Sequence, residues 1–306
     1  MKKSLIAVAA LATSSVVMAQ SSVTLYGVVD AGIGKIKSGG GAGKAQMVSG
    51  ELMNTSDNKL GFRGARDLGG GLQAGFNFET ALSLKDGSAS DPFWAGKANV
   101  WVGGNWGSLK LGREDTPSHV GIQAWELTDE ANYSVVNNTF NNLDGTAGDA
   151  GANSQFIYTT PEFGGVSAQL GYVFKDDRSG QAKWAMNVIY AGGPVTASVV
   201  ANKARGQKLG YAVGGKYDFG GLAVVASYSD NHALRRGFSL GGRLQLGLAS
   251  LALDVTRDTR NRISGRKYTN GVLEGRYALS KRTLLYAAFL RLDGGNNYGV
   301  GVRHNF

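Results

Sequence analysis

The chain has 306 residues, carries 32 Lys and Arg against 23 Asp and Glu, and lacks cysteine. These figures exclude a disulfide scaffold and any thiolate metal centre, and the three histidines (His119, His232, His304) are too scattered to suggest an imidazole site. A net charge of +9 fits nucleic acid, an anionic membrane or anionic solutes. Lys and Arg are spread along the chain rather than clustered, so no nucleic-acid partner is expected and a charged cavity wall is.

Residues 1–19 read as an export signal. Lys2 and Lys3 precede the apolar stretch 5–11, and small residues run to Val17-Met18-Ala19. Cleavage is expected between Ala19 and Gln20, leaving 20–306 as a single domain. The apolar stretch is shorter than the roughly 20 residues needed to cross a bilayer. No long apolar run follows it. A membrane protein of this kind has to be a closed barrel, because hydrocarbon cannot satisfy an open sheet edge.

From residue 23 onward the period is two. Leu72, Ala74, Phe76 and Phe78 alternate with Gln73, Gly75, Asn77 and Glu79; 166–174 and 238–246 repeat the pattern. The expected fold class is all-β: a membrane-spanning, antiparallel, up-and-down β-barrel of about sixteen strands. The runs lie near 23–34, 57–66, 71–84, 97–104, 107–113, 153–160, 164–174, 181–191, 194–204, 207–219, 221–230, 237–247, 248–257, 267–278, 280–291 and 296–306. A soluble sandwich also alternates. Strands of about ten residues, a glycine- and charge-rich polar face, and connections alternating short and long favour the barrel. The longer connections are 35–56, 85–96, 114–152, 230–236, 258–267 and 292–296. A barrel of this size encloses an aqueous channel.

The longest connection, 114–152, holds Glu114, Asp115, Glu126, Asp129, Glu130, Asp144 and Asp149, with no Lys or Arg. It reads either as an exposed acidic loop or as a loop folded into the lumen. Alternation places Arg63, Lys110, Lys216, Arg243, Arg276, Arg282 and Arg303 on the lumen face. Arg113, at a strand end, is grouped with them as pore-lining. A charge facing lipid at midplane costs about 2–4 kcal/mol, which favours the lumen for each. Glu274 with Arg276 reads equally well as a structural pair. Trp184, Tyr190, Tyr217, Tyr286 and Phe306 suit interface girdles, while Tyr26 and Trp101 fall on the lumen face.

Several blocks resemble the general porins of β-proteobacteria. They are Ser21 to Asp30, Lys59 to Gly64 with Asp67 to Leu72, Gly107 to Arg113, Tyr158 with Pro161 to Gly165, Tyr277 to Thr283, and Val302 to Phe306. The resemblance spans the chain after the signal. It implies a homotrimer of sixteen-stranded barrels in the outer membrane, each with its third extracellular loop, here 114–152, folded inward as the constriction. It implies passive diffusion of small hydrophilic solutes, often with anion preference. Phe306 matches the terminal signal read by the barrel-assembly machinery. Outer-membrane lipid and lipopolysaccharide are the expected surroundings, and no cofactor or metal is expected. Arg66 stands where the family often has an acid, Gly96 where arginine is common, and Trp101 where glycine is.

Three other functions compete: a substrate-specific channel with a saturable site, an enzyme, and a purely structural barrel. An enzyme is not expected. There is no Gly-x-Ser-x-Gly, Ser118-His119 is merely adjacent in sequence, and 39–44 lacks the Ser or Thr of a phosphate loop.

Overall fold

The computed structural model describes residues 22–37, 43–140, 151–174, 182–231 and 234–306. The expected cleavage pair Ala19–Gln20 and the acids Asp144 and Asp149 lie outside them. The strands are β1 (Ser22–Lys35), β2 (Ala45–Ser49), β3 (Lys59–Gly69), β4 (Leu72–Ala81), β5 (Lys97–Gly104), β6 (Gly107–Asp115), β7 (Gly151–Thr159), β8 (Val166–Val173) and β9 (Lys183–Gly192). They continue as β10 (Val195–Ala204), β11 (Gly210–Asp218), β12 (Leu222–Asp230), β13 (Arg235–Leu246), β14 (Ala249–Asn261), β15 (Thr269–Ala278), β16 (Thr283–Leu292) and β17 (Gly295–Asn305). Two short helices, α1 (Pro117–Gln123) and α2 (Val135–Phe140), lie between β6 and β7.

Each strand from β3 to β17 pairs antiparallel with the next. β1 closes the wall, pairing with β3 over Ser22–Val28 and with β17 over Val28–Lys35. The second half of β1 also pairs with β2. β2 and β3 therefore share one position, and the closed barrel has sixteen. Between them the chain leaves the ladder and buries Met53, Asn54 and Thr55. Buried Asp30 of β1 ties that excursion down. It accepts from Asn54 Nδ2 (2.8 Å), the Thr55 amide (2.8 Å) and the Tyr286 hydroxyl (2.6 Å).

Alternation divides the wall into two faces. Val199, Leu240, Leu253, Leu273 and Val300 are exposed, while their neighbours Val200, Ser239, Asp254 and Glu274 are buried. An apolar outer surface of this extent is what a hydrocarbon solvent requires. Tyr286 lies on the inner face and is buried, so it is not a girdle residue.

Glycines shape the inner surface. Tyr26, Trp101 and Tyr286 each lie flat across a strand on a paired glycine: Gly61, Gly75 and Gly301. A Cβ on these glycines would come within 2.4, 2.6 and 2.5 Å of the rings. The pairing keeps three large aromatics along the wall and pins the register. At the last hairpin, Asp293 and Gly294 take φ of 49° and 82°, so the expected longer connection at 292–296 is a two-residue turn.

Candidate functional site: the inner wall and the segment 116–140

The segment after β6 is held to the barrel by its own apolar side chains. Thr116 caps α1, accepting from the His119 amide at 3.3 Å, and Pro117 supplies a preset φ at the first turn. The inward residues of β9 and β10 then bind its backbone. Asn187 Nδ2 donates to the Pro117 carbonyl (2.7 Å) and Ser198 Oγ to that of Gly121 (2.6 Å). Trp125 Nε1 donates to Ser198 Oγ at 2.9 Å, and its indole lies on Gly214, where a Cβ would sit 2.2 Å from the ring. Farther on, α2 packs on β13 to β16, with Thr139 Oγ1 3.1 Å from Thr256 Oγ1.

Ile122, Trp125, Leu127, Tyr133, Val135 and Val136 form the main buried cluster together with inward wall residues such as Val200 and Val225. The hydrophobic core of this protein lies between the segment and the wall.

The five expected loop acids occupy three environments. Glu114 and Asp115 belong to the end of β6. Lys97 Nζ bonds both, at 2.6 and 2.7 Å, and Lys110 Nζ bonds Glu114 at 2.5 Å. Glu126 is buried and accepts from the Thr128 amide (2.8 Å), Thr128 Oγ1 (2.6 Å) and Ser134 Oγ (2.7 Å). Its role is to close the segment's own turn, which corrects its expected place opposite the basic wall. Asp129 and Glu130 follow with φ of 50° and 64°. Asp129 reaches Arg243 (2.9 Å) and Arg276 (2.8 Å), while Glu130 is exposed.

The expected basic residues also divide. Arg63 faces inward opposite Thr24 and Asn77, with its guanidinium 5.3 Å from the Tyr26 ring centroid. Lys110 is inward opposite Trp101, Lys216 opposite Thr196, and Arg303 opposite Asp30. Arg243 and Arg276 are inward too. Arg276 is clamped between Asp129 and buried Glu274 (2.9 Å).

Two residues are corrected. The ladder shifts register between Gly112 and Glu114, and Arg113 pairs with Ala98 in the outward row of Phe78. Its guanidinium binds the Ala95 carbonyl and Asn153 Oδ1. Arg282 lies exposed in the turn between β15 and β16, because the Leu279 and Ser280 amides close onto the Thr283 carbonyl and the strand starts only there. Lys97 escaped the expected set, although parity with Asn99 and Trp101 marks it as inward.

Among the described residues, no carboxylate is ion-paired with Arg63, Lys216 or Arg303. Beside Arg63 a pocket of about 420 Å³ is lined by Asn77, Asn99, Trp101, Ser108 and Lys110.

A closed sixteen-position barrel with a polar, charged inner face is the architecture of a diffusion channel. The family model described as Gram-negative porin matches residues 5–297. The chain belongs to the Gram-negative porins. It is 31% identical to the outer membrane porin protein 32 of Delftia acidovorans, over 99% of this chain and 93% of that protein. It is 27% identical to an outer membrane porin of Bordetella pertussis over the full length of both. Among solved structures, the anion-selective porin from Comamonas acidovorans superposes with a TM-score of 0.77 at 25% identity, covering 94% of this chain and all of that one. OmpT of Vibrio cholerae, in its trimer form, shares the fold (TM-score 0.72, 16% identity, 94% of this chain and 99% of that one). This porin is an outer-membrane channel for passive diffusion of small hydrophilic solutes.

Proposed function

We propose that this porin is an anion-preferring, non-specific pore with the segment 114–152 as its constriction. The supporting observation is the unequal treatment of the two signs of charge. The inward acids Asp30, Glu79, Glu114, Asp254 and Glu274 are buried, whereas Arg63, Lys216 and Arg303 keep solvent contact without an ion-pair partner among the described residues. Accessible cations in a narrow water-filled passage lower the barrier for anions and raise it for cations. The name of the Comamonas relative, an anion-selective porin, agrees with that sign.

The test is the reversal potential across a planar bilayer under a KCl gradient. The wild type should give the anion sign, and Arg63→Gln with Lys216→Gln and Arg303→Gln should shift it toward cations. A cation sign in the wild type would overturn the reading.

The pore also functions, on this reading, as a homotrimer in lipopolysaccharide-containing membrane, delivered by the barrel-assembly machinery through Phe306. That residue exchanges backbone hydrogen bonds with Gly27 at 3.1 and 3.2 Å, on the closing seam of the barrel. The pocket between Arg63, Trp101 and Lys110 favours a second reading, a channel with a saturable site. Single-channel current that levels off with rising solute would select it; current nearly linear in salt selects the general pore.

A further inference from the structure

The outer face of β13 to β17 carries two exposed arginines above a band of apolar side chains. Arg257 of β14 pairs with Thr269, and Arg291 of β16 pairs with Gly271, so the two arginines flank β15 in the outward row. Both are exposed, and both lie near the strand ends remote from the chain termini. Two strand spacings and a two-residue offset put them about 12 Å apart. Among the described residues neither has an ion-pair partner, and the outward rows of β13 to β17 contain no carboxylate. Unpaired arginines on a lipid-facing wall are tolerated only at headgroup level, where the cost falls from about 2–4 kcal/mol to about 0–1 kcal/mol.

Below them run two apolar grooves. One, of about 610 Å³, has Arg257 at its rim and continues along Val255, Leu253 and Gly242. The other, of about 530 Å³, is lined by Gly275, Ile33, Tyr298 and by Ala287 and Phe289, which precede Arg291 in the outward row of β16. Leu251 and Leu273 form the ridge shared by both. Gly275 meets nothing nearer than Leu251 at 3.5 Å, so it opens space toward the bilayer and does not serve packing inside the wall.

We propose that this face is a binding site for one phosphorylated, multiply acylated lipid of the outer leaflet. Its phosphates bind Arg257 and Arg291, and its acyl chains lie in the two grooves on either side of Leu273. A second copy of the chain fits less well, since a chain of net charge +9 brings no complementary surplus of negative charge to the arginines.

Native mass spectrometry of the refolded full-length porin tests this with a hexa-acylated bisphosphorylated disaccharide lipid as probe. The wild type should retain it, and should lose it when the same lipid is dephosphorylated. Arg257→Gln with Arg291→Gln should weaken binding roughly thirtyfold, at about 1 kcal/mol per arginine. Gly275→Leu, which fills one groove, should weaken it with both arginines present. Lys203→Gln, on the outward row of β10, should leave binding unchanged. Neither arginine faces the pore, so the reversal potential should not move with any of these variants. Equal retention of the dephosphorylated lipid by the wild type, or undiminished binding by the double variant, overturns the proposal. So does cross-linking of Leu273→Cys to a second copy in the assembled oligomer.

Discussion

Replacing Trp125 by Ala separates what holds the inner segment from what the segment does. The indole is buried, sits on Gly214 and donates to Ser198 Oγ at 2.9 Å. Loss of a buried tryptophan costs about 3–5 kcal/mol in packing and cavity terms. The strands keep their ladders and Asp129 keeps its two arginines, so that loss falls on the docking of α1 and not on the barrel. The population detached around residues 117–127 should then rise by roughly two to three and a half orders of magnitude, at about 1.4 kcal/mol per decade. Hydrogen exchange of those amides, read by mass spectrometry, should accelerate while the β13–β17 amides stay protected. Single-channel recordings should show frequent excursions to higher conductance. Gly214→Leu should reproduce both effects, because its side chain would occupy the place of the indole. Faster exchange with unchanged conductance and selectivity would refute the constriction role. Unchanged exchange would refute the claim that the Trp125 contact holds the segment.

Three further outcomes are expected. Arg276→Gln leaves Glu274 buried without its closest cation and should lower the barrel's heat-dissociation temperature on gels, as loss of one partner of a buried pair costs about 3–5 kcal/mol; the double change Glu274→Gln with Arg276→Met should be milder, and equal loss in both would refute the pairing. Asp30→Ala removes the acceptor of the Thr55 amide, Asn54 and Tyr286, and should destabilise the closing seam by about 1.5–3 kcal/mol or more, visible as a lower unfolding midpoint; an unchanged midpoint would mean the 50–58 excursion is held otherwise. Arg243→Gln should shift the reversal potential less than Arg63→Gln, because Arg243 is already neutralised by Asp129; the reverse order would contradict the division between tied and accessible cations.

The sixteen barrel positions were legible in the sequence because period-two alternation is imposed locally, by lipid on one side of every strand and water or buried polar groups on the other. The exceptions have local causes as well. Ala45–Ser49 hides as a strand because it is short and pairs only with the far half of β1. Arg113 was misplaced because it stands at a strand end and was grouped with its inward neighbours, although parity with Leu109 and Leu111 puts it on the outward row. Arg282 was misplaced because the turn extends through it and β16 starts at Thr283, three residues after the run read from the alternation begins. The candidate site was less legible, since pairing between the segment and the wall joins residues as distant as Asp129 and Arg276. One signal was present all the same. Ile122, Trp125, Leu127, Tyr133, Val135 and Val136 are too apolar for an acidic loop in solvent, and they require a surface to cover them. The inner wall supplies it through Ser198, Val200 and Gly214, all inward by parity. Once the segment is seated there, Glu126 is consumed in its own turn and Asp129 in two ion pairs. Acids and bases counted along the chain would predict a balanced transverse field; the contacts withdraw the buried and ion-paired acids from it and leave Arg63, Lys216 and Arg303, against exposed Glu130, to act on ions in transit.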